Sequence, residues 1–419
     1  MFRRTRILQA VLLTLLTTAC ASRPTAEIQH GAPAAGAPTQ AGPAAGAGGT
    51  GPQAGAMIAT PTSADLAEPS ALPEIQAGRS ETGSRAFTRA DGTLEPDIEA
   101  FADEVARLRQ VPLQHVRALL LDAQFNATAA RLMAPSKTRI RRSWVTYRNR
   151  FVEPIRIRHG QQFWQENAAV LQRTEEAWGV PASIIVSIIG VETIYGRYTG
   201  DFRVLDALAT LGFRYPDPER PERSHMFRNQ LADLIQLDYR GELNAKQATG
   251  SFAGAMGLPQ FMPGSLMRYA ADGDRDGEID LHGSTTDAIV SVARFLRLHG
   301  WVPGLPVFAP VTPPTDASPL VTGGLTPTLS WSQLEAAGAR AHDTSPATWQ
   351  QHPLGIVNLA DEPRNTVEYR VGTPNFFALT QYNRSYFYAS SVADLAQELE
   401  RRMAGTHATT AQLNTPVDK

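Results

Sequence analysis

Ile184-Ile185-Val186-Ser187-Ile188-Ile189-Gly190-Val191-Glu192-Thr193-Ile194-Tyr195-Gly196-Arg197 is the stretch on which the reading of this chain turns. A nearly unbroken apolar run leads into a single carboxylate. A run this apolar reads as a buried helix. Glutamate is rarely buried without a partner. An apolar wall raises a carboxyl pKa, because desolvation disfavours the charged form. That tuning suits a general acid at neutral pH. The alternative is that Glu192 turns outward at the helix end and pairs with Arg197.

Helical periodicity extends to both sides of this stretch. Asp97 to Arg109 places Ile98, Phe101, Val105 and Leu108 on one face. Gly160 to Trp178 reads as one helix, with Phe163, Trp164, Ala168, Leu171 and Ala177 inward. Met226 to Tyr239 repeats the pattern, and Asp287 opens a helix over Ala288 to His299 that Gly300 stops. Strand signals are sparse and late: Leu354 to Leu359, Val367 to Val371 and Phe376 to Tyr382. Pro and Gly between Trp301 and Pro327 mark a loop-rich connection. The fold class is mainly α (α+β). The expected division is a helical body over 85–304, a smaller mixed lobe over 305–405 and a disordered tail over 406–419.

The N-terminus reads as an export signal over residues 1–20. Arg3, Arg4 and Arg6 precede a short apolar run, Ile7 to Leu16, too short to remain as a spanning helix. Thr17-Thr18-Ala19-Cys20 resembles a lipobox, with Thr17 where Leu is usual. Lipidation of Cys20 is expected, against an ordinary cleaved signal with a chance cysteine. Cys20 is the only cysteine, so no disulfide forms within the chain. Residues 21–84 are rich in Ala, Gly, Pro, Thr and Ser and read as a disordered tether. The formal charge of −2 leaves no footprint for nucleic acid.

Three further clusters could carry chemistry. Gly250 to Pro263 alternates glycines and alanines with Ser251 and Gln260. The small residues permit close approach of a ligand or another backbone, and the two polar side chains suit sugar hydroxyls and acetamido groups. A tight helix crossing would look the same. Asp272-Gly273-Asp274-Arg275-Asp276-Gly277-Glu278 is the first half of an EF-hand-type loop, with Glu278 donating its carbonyl. Gly283 occupies the place of the usual bidentate Glu, and Asp287 is the candidate substitute. Calcium is the cation expected by ligand type, in a structural role; a bare acidic turn is the alternative. Gln381 to Tyr388 interleaves aromatic and amide groups, as a sugar-stacking surface or a packed aromatic loop would.

Taken together, Val191-Glu192-Thr193-x-Tyr195-Gly196, Phe202 to Leu211, Ser251-x-Ala253-Gly254-Ala255-Met256-Gly257-x-x-Gln260-Phe261-Met262-Pro263, the Asp-rich loop, Asn375-Phe376 and Tyr382-Asn383-Arg384-Ser385 resemble the membrane-bound lytic murein transglycosylase B family, over about Leu94 to Met403. The resemblance implies a peptidoglycan-cleaving enzyme with Glu192 as the single acid/base. It implies substrate contacts from Tyr147, Ser251, Gln260, Tyr382, Asn383 and Tyr388. It implies a cation loop of Asp272, Asp274, Asp276, Glu278 and Asp287. The family often carries paired arginines after Tyr-Pro; here Tyr215-Pro216 is followed by Asp217-Pro218-Glu219-Arg220, leaving Arg220 or Arg223 to take their place. The apolar Glu192 helix and the resemblance together give a lysozyme-like helical core with a helical N-terminal extension and a smaller lobe supplying Tyr382 and Asn383.

Glycosidases normally use two carboxylates. Near Glu192 the motif supplies one, since Asp206 reads as a structural partner. One suffices if the acceptor is the C6 hydroxyl of the muramoyl sugar, giving a 1,6-anhydro product with no chemical cofactor. A muramidase that uses water and a non-enzymatic peptidoglycan-binding lipoprotein are the competing readings. A monomer is expected, in the periplasm, anchored to the outer membrane.

Overall fold

The computed structural model describes residues 58, 61–63, 65–78, 85–136, 138–343, 345 and 347–413, with backbone alone from 406. The export signal, Cys20 and most of the small-residue stretch lie outside the described residues.

Helices α1 (Pro96–Arg109), α2 (Leu113–Asp122) and α3 (Ala127–Met133) precede α4 (Trp144–Phe151), α5 (Pro154–Glu166), α6 (Ala168–Trp178) and α7 (Ala182–Thr193). Strand β1 (Phe202–Arg203) runs into α8 (Val204–Phe213), which packs on α9 (Pro221–Tyr239). β1 pairs antiparallel with β2 (Thr249–Gly250). Helices α10 (Pro263–Tyr269) and α11 (Thr285–Leu298) follow. Then come β3 (Val311–Thr312), α12 (Trp331–Ala336) and β4 (Arg340–Ala341), with β3 and β4 antiparallel. Hairpin β5 (Gly355–Asp361) and β6 (Thr366–Gly372) sets Gly355 opposite Gly372 and Asp361 opposite Thr366. Two helices close the chain, α13 (Pro374–Tyr382) and α14 (Tyr386–Leu413).

α7 is the axis of the body. Ala182 to Val191 are all buried, and α5, α6, α11 and α14 pack around it. A helix without a polar face is stable only when surrounded in this way. It ends abruptly: Ile194 (φ 51°) and Tyr195 (φ 58°) take the left-handed conformation, which is unfavourable for a β-branched side chain. Packing holds the turn. The Tyr195 ring fills a slot between α5 and α7, beside Phe163. A Cβ on either Gly160 or Gly190 would lie 2.4 Å from its hydroxyl.

The structure corrects five boundaries. Gly160 to Trp178 is two helices, because Asn167 breaks the run and its side chain caps the Phe163 carbonyl. Phe376 to Tyr382 is helix, not strand. Thr373 caps it, Pro374 opens it, and Asn375 to Thr380 are all buried, which a strand's alternation would not give. The smaller lobe is shorter than 305–405. Its own core runs from Leu305 to Val371 and includes Leu334, Trp349 and Ile356. Phe376, Leu379, Tyr388, Val392 and Leu399 belong to the main core, so α13 and α14 return to the body. The tether does not extend to residue 84. Ile75 is fully buried, its N–H donates to Asn229 Oδ1 at 2.8 Å, and Glu104 accepts the N–H groups of Gln76 and Ala77. One isoleucine among small residues supplies the apolar surface for this docking. The tail does not begin at 406 either, since the α14 backbone continues to Leu413.

Candidate active site

Glu192 lies in the last turn of α7, half-buried, immediately before the left-handed turn. Its Oε1 accepts a hydrogen bond from the Tyr388 hydroxyl at 2.7 Å. Burial raises its pKa from 4.5 to about 7, and the Tyr388 bond, which favours the carboxylate, pulls the other way. Among the described residues no second carboxylate contributes to that shift. The outward alternative fails, because the Arg197 guanidinium lies 3.2 Å from His159 Nδ1 instead. Asp206 accepts from Arg203 at 2.6 Å and from the Gln124 N–H at 2.7 Å, as a structural partner would.

Three phenols surround the carboxyl. Tyr388 stacks on Tyr382, with centroids 6.3 Å apart and planes at 13°. The Tyr382 hydroxyl donates to the Pro259 carbonyl at 2.6 Å. Tyr147 approaches from α4, beside Phe151 and Phe387. Burial first, then the Glu192 charge, keeps all three hydroxyls protonated well above the ordinary tyrosine range. Tyr388 is fully buried, so it faces the carboxyl rather than an open groove. This corrects its expected role as a groove contact.

Long-range ion pairs and hydrogen bonds set this geometry. Asp394 on α14 accepts from Arg148 of α4 and from Arg370 of β6, both at 2.5 Å. Asp361 at the end of β5 accepts from Ser143 and from the Val145 N–H, which fixes the start of α4. Ser183 near the start of α7 donates to Glu400 at 2.6 Å. Buried Arg156 donates to the Gly190 carbonyl at 2.8 Å, one turn before the left-handed bend. Sequence reading missed Arg156, Asp394 and Asp361. The alternation Ile155-Arg156-Ile157 was the available sign for the first; the other two act only across the fold.

The Gly250 to Pro263 segment forms a loop against the end of α7. Thr193 Oγ1 donates to the Leu258 carbonyl at 3.0 Å. Ser251 is buried, with its Oγ accepting from the Ala255 N–H at 3.1 Å. Gln260 donates to the carbonyls of Thr199 and Gly257 at 3.0 and 3.1 Å. Part of the glycine pattern is therefore backbone packing: a Cβ on Gly250 would meet the Ala255 carbonyl at 2.2 Å. Asn383 follows α13 directly, half-buried.

In the acidic loop, Asp272, Asp274 and Asp276 bring one carboxylate oxygen each within 4.8 Å of one another. Asp274 Oδ1 is buried with no hydrogen-bond partner. Gly277 (φ 94°) makes the turn that Asp272 Oδ2 holds through the Gly277 N–H at 2.9 Å. An orphaned buried oxygen beside two more carboxylates fits a hard divalent cation. Asp287 stands apart from this trio. Its two oxygens accept the N–H groups of Gly273 and Asp280, both at 2.8 Å, and so brace the ends of the loop. Glu278 is exposed, and its N–H donates to Asp276.

The Glu192 shift has a stability consequence. A folded-state pKa above the unfolded value gives a contribution that is full below about 4.5 and is lost as pH rises through about 7. Ionisation therefore opposes folding at pH 8, by up to about 2–3 kcal/mol for a half-buried group. Glu192→Gln is expected to unfold at higher denaturant than the parent at pH 8, with the advantage gone at pH 4.5. Equal curves at pH 8 would contradict the raised pKa.

Comparison with known proteins agrees with this geometry. Residues 93–397 match the family model described as the transglycosylase SLT domain. Membrane-bound lytic murein transglycosylase B of Escherichia coli K12 is 36% identical over 320 residues, covering 73% of this chain and 83% of that protein. Among solved structures, the soluble lytic transglycosylase SltB1 of Pseudomonas aeruginosa is 39% identical with a TM-score of 0.65, covering 74% of this chain and 100% of that one. The Escherichia coli lytic transglycosylase Slt35, solved in complex with calcium, is 34% identical with a TM-score of 0.62, covering 73% and 93%. The chain belongs to the transglycosylase SLT family, among its lytic murein transglycosylases.

Proposed function

We propose that Glu192 alone serves as acid and then as base in non-hydrolytic cleavage of the β-1,4 bond between N-acetylmuramic acid and N-acetylglucosamine in peptidoglycan. The observation that carries this is a single carboxyl with a pKa of about 7, flanked by phenols rather than by a second carboxylate among the described residues. The protonated carboxyl gives its proton to the bridging oxygen as the C1–O bond breaks. The muramoyl acetamido group stabilises the cation at C1, which removes the need for an enzyme nucleophile. The carboxylate then takes the C6 hydroxyl proton, and O6 closes on C1. The proton balance of Glu192 returns to its start and no water is consumed. Tyr388 holds the carboxyl through both steps. Tyr147, Tyr382, Ser251, Gln260 and Asn383 are the proposed sugar contacts.

Mass spectrometry of products from purified peptidoglycan tests this. Muropeptides ending in 1,6-anhydromuramic acid are expected, and Glu192→Gln is expected to retain polymer binding and lose at least about 1,000-fold in turnover. Reducing-end products one water heavier would convert the assignment to a muramidase.

Calcium is the proposed occupant of the Asp272, Asp274 and Asp276 loop, bracing the chain before α11. The Glu278 carbonyl is proposed to complete that site, and Asp287 to support it through its bonds to the Gly273 and Asp280 N–H groups. Added calcium is expected to raise Tm in the parent and not in Asp274→Asn; the same rise in both would remove the loop from the account. Cys20 is the proposed lipid attachment, holding the enzyme at the periplasmic face of the outer membrane. Cell fractionation should find the parent with membranes and Cys20→Ala in the soluble fraction, whereas unchanged fractionation would exclude lipidation as the anchor.

A further inference from the structure

The chain between α3 and α4 carries Thr138-Arg139-Ile140-Arg141-Arg142. It lies against the tip of the β5–β6 hairpin. The Glu362 N–H donates to the Arg142 carbonyl at 2.8 Å, and Ser143 bridges to Asp361. Three arginines converge on Glu362. Its carboxylate is 3.4 Å from Arg142 and 3.7 Å from Arg139, and its backbone carbonyl accepts from Arg141 at 2.7 Å. Arg364, on the hairpin itself, pairs with Asp361 at 3.0 Å. Asp361 is buried and already holds Ser143 and the Val145 N–H. Four exposed guanidinium groups therefore meet two carboxylates, one of them buried, and the surplus charge is positive. Ile140 stands among these arginines. At 64% it is the most exposed large apolar side chain among the described residues. Two more exposed apolar side chains adjoin the same tip. Val145 is tied to it through its N–H on Asp361, and Val367 lies opposite Ala360 in the hairpin.

Cations gathered on one carboxylate repel one another, and an isoleucine left in water has an unfavourable hydration that the fold does not relieve. One surface answers both. Anionic phospholipid offers phosphates, which guanidinium groups match in geometry as well as charge, and hydrocarbon just beneath them. An acidic protein face or a soluble polyanion would pair the arginines without giving Ile140 any apolar depth. We propose that residues 138–142, with the hairpin tip at 361–364, form a membrane contact in which Ile140 enters an anionic phospholipid surface and Arg139, Arg141 and Arg142 bind its phosphates. Glu362 competes with those phosphates for Arg139 and Arg142, which keeps the contact weak and reversible. This rests on the reading of Cys20 as the lipid attachment, which gives the patch a high effective concentration at that surface. One isoleucine and a few arginines do not hold an unlipidated chain through cell fractionation. Tyr147 is one turn beyond the start of α4, so the contact also sets how the site is oriented over the membrane.

The test uses the full chain carrying Cys20→Ala, so that no attached lipid contributes, and co-sedimentation with vesicles of phosphatidylcholine alone or mixed with phosphatidylglycerol. Binding is expected to be at least about fivefold stronger to the mixed vesicles and to weaken as salt is raised. In this background the double variant Arg139→Gln, Arg141→Gln is expected to bind the mixed vesicles about tenfold more weakly. Ile140→Ser is expected to lose about fivefold on the same vesicles. Glu362→Gln, which removes the competing carboxylate, is expected to gain about threefold. All three variants should keep turnover of soluble glycan strands within about twofold of the parent, which reports correct folding. Equal binding to the two kinds of vesicle, or unchanged binding in every variant, would overturn the proposal. So would lost binding to peptidoglycan sacculi with vesicle binding intact, which would make the patch a contact with the wall polymer. The lipid reading fails separately: parent and Cys20→Ala would then fractionate alike in cells, while the vesicle comparison still decides the patch.

Discussion

The hydrogen bond from the buried Tyr388 hydroxyl to Glu192 is the contact on which the rest of this structure depends. The two residues are 196 apart in the sequence, on α7 and α14, and they meet because α14 packs along α7. That packing in turn relies on Ser183 with Glu400 at one end and on Asp394 with Arg148 and Arg370 on the flank. The carboxyl feels two opposed effects. Desolvation favours the protonated form and the phenol favours the charged form, and desolvation wins. A proton donor that becomes an acceptor within one cycle needs this near balance. Either form then remains accessible close to neutral pH.

The smaller lobe buttresses the site. Its own core is separate, yet β5 fixes the start of α4 through Asp361, and β6 reaches α14 through Arg370. Trp144 at the head of α4 donates to Glu368 of β6 and lies under the Arg370 guanidinium. Tyr147 is one turn further along α4. The lobe thus sets the phenol wall of the site from behind.

The Glu192 helix was legible in the sequence because its apolar run leaves no polar face, and burial follows from that alone. The acidic loop was legible because its carboxylates alternate within five residues, so spacing dictates their convergence. The bracing contacts of Asp287 were not legible, because residue type does not say which way a carboxylate turns; its two oxygens accept two backbone N–H groups. Phe376 to Tyr382 reads as strand from its aromatics. Thr373 and Pro374 just upstream decide for helix, and it is packed between the adjoining hairpin and α11, which is remote in sequence. Tyr388 was legible as an aromatic near the site but not as the partner of a carboxyl 196 residues away. The docked strap at Ile75 was hidden by the composition around it. The pairing of Asp394 with two arginines has no local signal at all.

The central claim is that Glu192 is held protonated near neutral pH by its surroundings. Carbon-13 NMR of the side-chain carboxyl carbons, with Glu192→Gln identifying the resonance, measures this directly. The account predicts a titration midpoint near 7 for Glu192. A midpoint near 4.5, the ordinary value for a solvated glutamate, would contradict it.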